Sequence, residues 1–327
     1  MTNRIRAAIV QAPPVPLDFA AGLEAAAGHV RAAVEMGAQV IAFGEAWLGG
    51  YPAWLDRVPG PALWDHPGTR ELHRILLDQA VRGDDPRFHA LQFAVDIAGV
   101  TVSIGAIERV RSSLFNSQLL FRPKAPVLRH RKLLPSPTER MLFGSGDGST
   151  LETHVAPWGR VGQLLSGEHW MPLARATMHH VGEAVHVAAW PSVHDISLLA
   201  SAHYAYEGRC FVLAAGTLQR RDDLLRGYDR IGGDGSARKL IDSLPAGWLQ
   251  SGGSAIIAPD GVPIAHAGEE LMILTADLDL DEVDQGRVAL DIGGLSARPD
   301  VFELRVDRRA RKGIVELDED GEQVASA

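Results

Sequence analysis

Residues 5–45 read IRAAIVQAPPVPLDFAAGLEAAAGHVRAAVEMGAQVIAFGE, and the order of patterns in this stretch decides the fold. Ile5 to Gln11 is a short run rich in Ile, Val and Ala that Pro13-Pro14 end, as for a buried strand leaving a sheet. From Phe19 the apolar side chains Leu23, Ala26, Val30 and Val34 recur at helical spacing on one face, and Gly37 stands where a C-terminal cap belongs. Gln39 to Phe43 is a second apolar run. The stretch therefore predicts β-α-β, with a crossover long enough for parallel pairing, and it leaves Glu45 just past the end of the second strand.

The same rhythm runs outward along the chain. A helix is predicted after Asp85-Pro86 through Ala98, with strands at Val100 to Ile107 and near Asn116 to Phe121. Further on, Val161 to Leu165 reads as strand, Met171 to Val181 as helix, Ala184 to Ala189 as strand, Asp195 to Gly208 as helix and Cys210 to Ala215 as strand. Ser254 to Ala258, Val262 to His266 and Leu271 to Ala276 form a strand-rich end with a hairpin signal at Asp260-Gly261. Between these units, Gly216 to Gly253 is Gly-rich, charged and too long for a simple connection, so it reads as a lid or a contact surface. After about Arg305 the chain turns strongly basic and then acidic, the pattern of a solvated tail over 306–327 or of an arm reaching a neighbouring subunit.

Composition narrows the class. The 327 residues are 46% hydrophobic and 22% charged, which excludes disordered, collagen-like and coiled-coil chains. Lys plus Arg number 32 against 41 Asp plus Glu, a formal charge of -9, so the chain gains nothing electrostatically from phosphate backbones or anionic lipid, and neither nucleic acid nor membrane is an expected partner. The single cysteine, Cys210, forms no intramolecular disulfide, and Met1 to Arg6 are not followed by an apolar signal core. The most apolar stretch, Phe19 to Val34, is interrupted by Glu24, His29 and Arg31, short of the roughly 18 apolar residues of a membrane span. The expectation is a soluble, cytoplasmic protein.

Four positions stand out chemically. Glu45 follows an apolar strand and precedes the Gly- and aromatic-rich Ala46-Trp47-Leu48-Gly49-Gly50-Tyr51-Pro52, where α/β sheets place their sites. Lys132 sits in the basic cluster His130-Arg131-Lys132 and could neutralise charge developing on a substrate, with Glu139 in Thr138-Glu139-Arg140 able to position it. Ser166, in Ser166-Gly167-Glu168-His169, occupies a strand-to-turn position like that of a hydrolase nucleophile, although Leu164 breaks the GxSxG pattern. Two have a plainer reading: a helix-capping or surface carboxylate for Glu45 and a solvated basic strand end for Lys132. A triad of Ser166, Asp195 and His203 is available only on paper. Gly144 to Gly148 lacks the Lys that a phosphate loop requires, and His179, His180 and His186 lack metal-ligand spacing.

Taken in order, Phe43 to Pro52, His130 to Leu133 with Thr138 to Arg140, and Ser166 to Leu173 resemble the nitrilase branch of the carbon-nitrogen hydrolases. Ala189-Trp190-Pro191, Glu207 to Val212, Gly253 to Gly261 and Ala297 to Asp300 support the resemblance, which covers about Ile5 to Leu304. It implies an α/β fold, a four-layer αββα sandwich, as one carbon-nitrogen hydrolase domain over 1–305, assembled as dimers or larger, possibly helical, homo-oligomers. It implies Glu45 as general base, Lys132 as the cation steadying the tetrahedral intermediate, Glu139 as supporting carboxylate and position 166 as nucleophile, with no metal or organic cofactor. Tyr51, Gly167, His169, Trp170 and Trp190 are the expected substrate-binding residues. The family carries cysteine at position 166, so Ser166 reads as a Cys-to-Ser replacement that inactivates or slows a hydrolase of nitriles. An amidase or carbamoylase of the same superfamily, or a catalytically silent binding or assembly protein, are the alternatives. Cys210, in an expected buried strand, is an unfit substitute nucleophile. Gly167 stands where this branch commonly has an aromatic residue, and Leu295-Ser296 where many have His-Tyr.

Overall fold

Along the first strand, β1 (Arg4–Gln11), Ile5, Ala7 and Ile9 pack into one apolar cluster and Ala8 and Val10 into another, because successive side chains leave a strand on opposite faces. Both faces are apolar, so the strand is covered on both sides. The computed structural model describes residues 3–311, and every layer of it follows from this alternation. Helix α1 (Phe19–Glu35) carries the chain from β1 to a parallel partner, β2 (Val40–Phe43). Its first turn is capped by Asp18, whose carboxylate accepts from the Ala21 amide at 3.0 Å. Phe19, Leu23, Ala26 and Val30 form its buried face, as their spacing predicts.

Helices α2 (Pro67–Gln79) and α3 (His89–Ala98) then precede strands β3 (Thr101–Val110), β4 (Ser113–Arg122) and β5 (Ala125–Arg131). The second half supplies β6 (His154–Ala156), β7 (Gly159–Leu165), α4 (Pro172–His179), β8 (Val185–Ala189), α5 (Asp195–Gly208) and β9 (Phe211–Ala215). Next come β10 (Leu218–Arg220), α6 (Arg221–Ile231), α7 (Gly235–Asp242) and β11 (Trp248–Ser251), and finally β12 (Ala255–Ile257), β13 (Pro263–His266), β14 (Met272–Asp279) and α8 (Asp281–Arg287).

Two six-stranded sheets result, ordered β14-β1-β2-β3-β4-β5 and β13-β12-β9-β8-β7-β6. Each has three parallel strands at its centre, β1-β2-β3 and β7-β8-β9, flanked by antiparallel neighbours. Ile5, Ala7, Ile9, Val40 and Ala42 of the first sheet meet Val185, Val187, Phe211, Leu213 and Ala215 of the second in one core between the sheets. The opposite faces are covered by α1 and α3 on the first sheet and by α4 and α5 on the second. This is the expected four-layer αββα sandwich. Among the described residues no helix is long and apolar enough to cross a membrane.

The segment 216–253, expected as a lid or a contact surface, is built of regular elements. It folds as a small antiparallel pair, β10 with β11, bracketing α6 and α7, and its Leu224, Tyr228, Ala237, Leu240 and Ile241 join the core of the first sheet beside α2. Glycines and charges dominate its composition, yet the few apolar residues fall at helical spacing and are buried. Helix α2 and strand β5 were not predicted either: β5 is half-exposed and basic, and Leu72, Ile75 and Leu76 give α2 only a narrow apolar stripe. The predicted helix after Asp85 begins with a 3-10 turn, Pro86–Phe88. Of the charged tail, residues 312–327 lie outside the described residues. Its start runs along the chain's own Asp147 to Leu151, where the Arg311 amide donates to Asp147 at 2.7 Å.

Gly105 in β3 shows how tightly the sheet approaches the end of β2. A Cβ there would lie 2.3 Å from the Ala46 amide nitrogen and 2.4 Å from the Gly44 carbonyl oxygen, so backbone on both sides of Glu45 would have to move. Gly105→Ala is expected to cost about 1–3 kcal/mol as overpacking, read as a lowered urea midpoint; an unchanged midpoint contradicts this packing.

Candidate active site

Four chain ends converge at the carboxyl edges of the two sheets. Glu45 follows β2, and Ala46 after it is left-handed, φ +50°. The Glu45 amide donates to the carbonyl of Trp190 at 3.1 Å, which ties the end of β2 to the end of β8 in the other sheet. Lys132 follows β5, and its amide donates to the Asn116 carbonyl at 2.9 Å. Ser166 follows β7 and is itself left-handed, φ +46°, a conformation that costs a residue with a side chain on the order of 1–3 kcal/mol and persists only where surrounding structure enforces it.

The ammonium of Lys132 is buried between two carboxylates. It donates to Glu45 Oε1 at 2.6 Å and to Glu139 Oε1 and Oε2 at 3.0 and 2.9 Å. Asn116 Nδ2 donates to Glu45 Oε1 at 2.6 Å and reaches Glu139 Oε1 at 3.4 Å, and the Ser136 amide donates to Glu139 Oε2 at 2.6 Å. All four side chains are buried. One positive charge faces two negative ones, so one carboxylate must carry the deficit. Glu45 is that group: burial pushes its pKa up, Lys132 opposes and the Glu139 charge adds, leaving it at about 8. Glu139 is also pushed up by burial, but Lys132 and the Ser136 amide bring it below its ordinary value. Lys132, despite burial, is raised by both carboxylates and stays charged. Among the described residues Glu45 Oε2 accepts from no donor.

A third buried carboxylate joins the lysine to the serine. Glu168 accepts the Leu133 amide on Oε1 and the Leu165 amide on Oε2, both at 2.7 Å. The residue after Lys132 and the residue before Ser166 therefore hang from one carboxylate. Its third donor is His130 Nε2, at 2.8 Å, while His130 Nδ1 donates to the Thr150 carbonyl at 3.2 Å. Carbonyl and carboxylate only accept, so these two contacts favour the ring that carries both protons, and the Thr150 hydroxyl lies 3.5 Å from Nδ1 as well. Burial disfavours that charge, but Glu168 outweighs it and raises the His130 pKa.

Ser166 opens on a cavity of about 430 Å3 lined by Tyr51, Trp170, Trp190, Asp56, Arg57 and Gln250 among others, a volume within the usual range for small-molecule sites. Tyr51 is held neutral by burial and by the Glu139 and Glu45 charges. A larger groove of about 660 Å3, between α3 and the edge strand β5, contains none of these residues. Of the five expected substrate-binding residues, Tyr51, Trp170 and Trp190 line the cavity. His169 does not: its ring is buried, with Nδ1 2.8 Å from the Ser166 carbonyl and Nε2 3.1 Å from His186, and it faces the protein interior because both nitrogens are engaged there. Gly167 is not among the lining residues either, and a Cβ at that position would meet the Trp170 ring at 3.4 Å.

The paper triad does not assemble. His203 lies exposed on α5 with Nδ1 3.9 Å from Glu207, and no hydrogen bond joins it to Ser166 or Asp195 among the described residues. No group of His, Cys, Asp and Glu among the described residues is arranged to hold a metal ion. Cys210 is buried, and burial pushes its thiol pKa well up. Sequence reasoning missed Asn116, His130 and Glu168 as site members. Asn116 lies inside a strand with no motif around it, whereas His130 and Glu168 sit within the quoted motifs, two residues from Lys132 and from Ser166.

The carbon-nitrogen hydrolase family profile matches residues 6–288. Over 323 residues the chain is 37% identical to an aliphatic nitrilase of Sinorhizobium fredii, covering 96% of this chain and 99% of that one. It is 32% identical over 336 residues to an aliphatic nitrilase of Rhodococcus rhodochrous, covering 98% and 84%. Among solved structures it resembles a carbon-nitrogen hydrolase from Helicobacter pylori G27 with a TM-score of 0.67 at 16% identity, over 92% of this chain and 97% of that one; this likeness concerns the fold.

The shifted Glu45 sets a pH dependence of stability. Its carboxyl holds a proton up to about pH 8 in the folded chain and up to about 4.5 when unfolded, so between these values the folded state binds the extra proton and stability falls as pH rises. Glu45→Gln removes that term and leaves Lys132 with Glu139. The melting temperature of Glu45→Gln relative to the parent is therefore expected to rise from pH 5 to pH 8, measured by thermal scans; a difference that stays constant contradicts the assignment.

Proposed function

The chain belongs to the carbon-nitrogen hydrolase family, and on that premise we propose that its scaffold hydrolyses an organic nitrile to a carboxylic acid and ammonia, with residue 166 as nucleophile. The observation that carries this reading is the unpartnered Glu45 Oε2, on a carboxylate whose other oxygen is held by Lys132 and Asn116. Once ionised, as it is above about pH 8, that oxygen is a free base beside a fixed ammonium, which suits a group that takes the proton of a nucleophile while the cation steadies charge on the attacked atom. The names of the relatives, aliphatic nitrilases, support nitriles as the substrate class, and the aromatic rings of Tyr51, Trp170 and Trp190 support an apolar or aromatic substituent.

With sulfur at position 166, the steps balance as follows. Glu45 takes the thiol proton; the thiolate attacks the nitrile carbon, a C–S bond forms as one C–N π bond opens, and the nitrogen receives the proton to give a thioimidate. Water deprotonated by Glu45 adds to that carbon, the C–N bond breaks and ammonia leaves. A second water then cleaves the resulting thioester, so two waters are consumed for one acid and one ammonia.

Oxygen at position 166 changes the magnitude of the first step. A thiol with its ordinary pKa of about 8.5 passes its proton to a carboxylate near 8 at almost no cost. An alkanol is a far weaker acid than a thiol, so the same transfer from oxygen is steeply uphill. The serine chain is accordingly proposed to be inactive or slow. Ser166→Cys is expected to raise ammonia release from nitriles by several orders of magnitude, measured over paired nitrile and amide substrates. Silence on the whole panel overturns the hydrolase reading, and release from amides alone overturns the nitrile assignment.

The family resemblance also carries a proposal that copies of the chain associate. Exposed Leu173 on α4 and Ile196, Leu199 and Tyr206 on α5 support it. Sedimentation at micromolar concentration is expected to show a dimer or larger; a monomer contradicts it.

A further inference from the structure

A second buried polar chain runs inward from residue 166, and the steps above use none of it. His169 Nδ1 is 2.8 Å from the Ser166 carbonyl oxygen, His169 Nε2 is 3.1 Å from His186 Nε2, and His186 Nδ1 is 2.9 Å from Glu183 Oε1. The Tyr204 hydroxyl donates to Glu183 Oε2 at 2.6 Å. All four side chains are buried, so each link must be a satisfied hydrogen bond or a costly mismatch.

Counting protons fixes the arrangement. A carbonyl only accepts, so His169 carries hydrogen on Nδ1. The link between the two Nε2 atoms needs one more proton, and the link between His186 Nδ1 and Glu183 needs another. Two neutral rings and a carboxylate supply one fewer than that. The linked unit therefore holds an extra proton and is electrically neutral overall, as a buried cluster should be. Burial, and after it the neighbouring His186, hold the His169 pKa well below its ordinary value, so His169 meets the Ser166 carbonyl as a neutral ring. Packing locks the rings in these roles. His169 stacks on Trp190 with centroids 5.1 Å apart, and His186 stacks on Tyr204 at 3.9 Å, so neither ring turns to another partner without losing its neighbour.

Ser166 is held in the left-handed region, φ +46°, where a residue with a side chain needs external restraint. We propose that His169, oriented by His186 and Glu183, is a positioning residue that anchors the Ser166 carbonyl and thereby keeps the residue-166 side chain directed at the cavity. Glu168 restrains the turn from the side of β7 and β5, and His169 restrains it from the side of β8 and α5. The consequence for chemistry rests on the hydrolase reading; the consequence for the geometry of residue 166 does not.

The test uses the full chain carrying Ser166→Cys and two further substitutions. His169→Phe keeps a ring against Trp190 and removes the donor. His169→Asn returns an N–H donor at the same number of bonds from the backbone as Nδ1. The readouts are the rate at which iodoacetamide alkylates the introduced thiol, followed by intact mass, and the melting temperature; Cys210 is buried and stays silent in the native protein. Since small misplacements of a reacting group cost up to 100-fold, His169→Phe is expected to slow alkylation by about tenfold or more and His169→Asn to stay within about threefold of the parent. Equal rates for His169→Phe and the parent overturn the proposal, as does His169→Asn reacting as slowly as His169→Phe at the same melting temperature. Alkylation needs no nitrile, so a Ser166→Cys chain that releases no ammonia overturns the hydrolase reading without touching this one.

Discussion

A single ammonium buried between two carboxylates is the constraint on which the site depends. Lys132 without Glu45 and Glu139 would be an uncompensated charge in a region closed to water, a penalty of several kcal/mol in real proteins. The carboxylates come from different parts of the chain, one past β2 and the other in a turn beyond β5, so the ion cluster forms only when the first sheet is assembled in register. Its charge does not balance internally, and the excess falls on Glu45, the carboxylate with an unpartnered oxygen. Burial thus converts an ordinary acid into a base of useful strength, and the neighbouring lysine keeps it oriented.

The scaffold holds this cluster against a second constraint, the left-handed turn at residue 166. Beyond two strands of different sheets, β2 and β7, the chain turns through residues with positive φ, Ala46 three positions after β2 and Ser166 directly after β7. Turning sharply at those points brings the side chains of Glu45 and Ser166 to the edge where the sheets meet. Glu168 then fixes the relative position of the two halves, since one carboxylate receives the amides of Leu133 and Leu165. The close contact of Gly105 with the backbone around Glu45 serves the same registration within the first sheet.

Much of this architecture is legible in the sequence because burial on both faces writes a plain signal. Strands β1, β2, β8 and β9 are apolar runs and helix α1 is a clean helical stripe, and they fall where the spacing puts them. The helices and strands inside 216–253 are not legible because its glycines and charges outweigh a sparse apolar stripe that the packed structure reveals. Glu45, Lys132 and Glu139 stand out through motif context and do meet in space. Asn116 and Glu168 act through hydrogen bonds across 71 and 35 positions of chain, and no local pattern encodes such a contact. His169 shows the converse error: a histidine near a nucleophile position suggests contact with substrate, but its ring is buried and its nitrogens satisfied, which only the three-dimensional partners disclose.

Because the account turns on the proton affinity of one carboxyl, the most direct measurement is an NMR titration of the Glu45 side-chain carboxyl carbon in glutamate-labelled protein, assigned by the resonance that Glu45→Gln removes. The expected midpoint is near 8. A midpoint in the ordinary carboxylate range would contradict it, because Glu45 would then be too weak a base to accept a proton at residue 166.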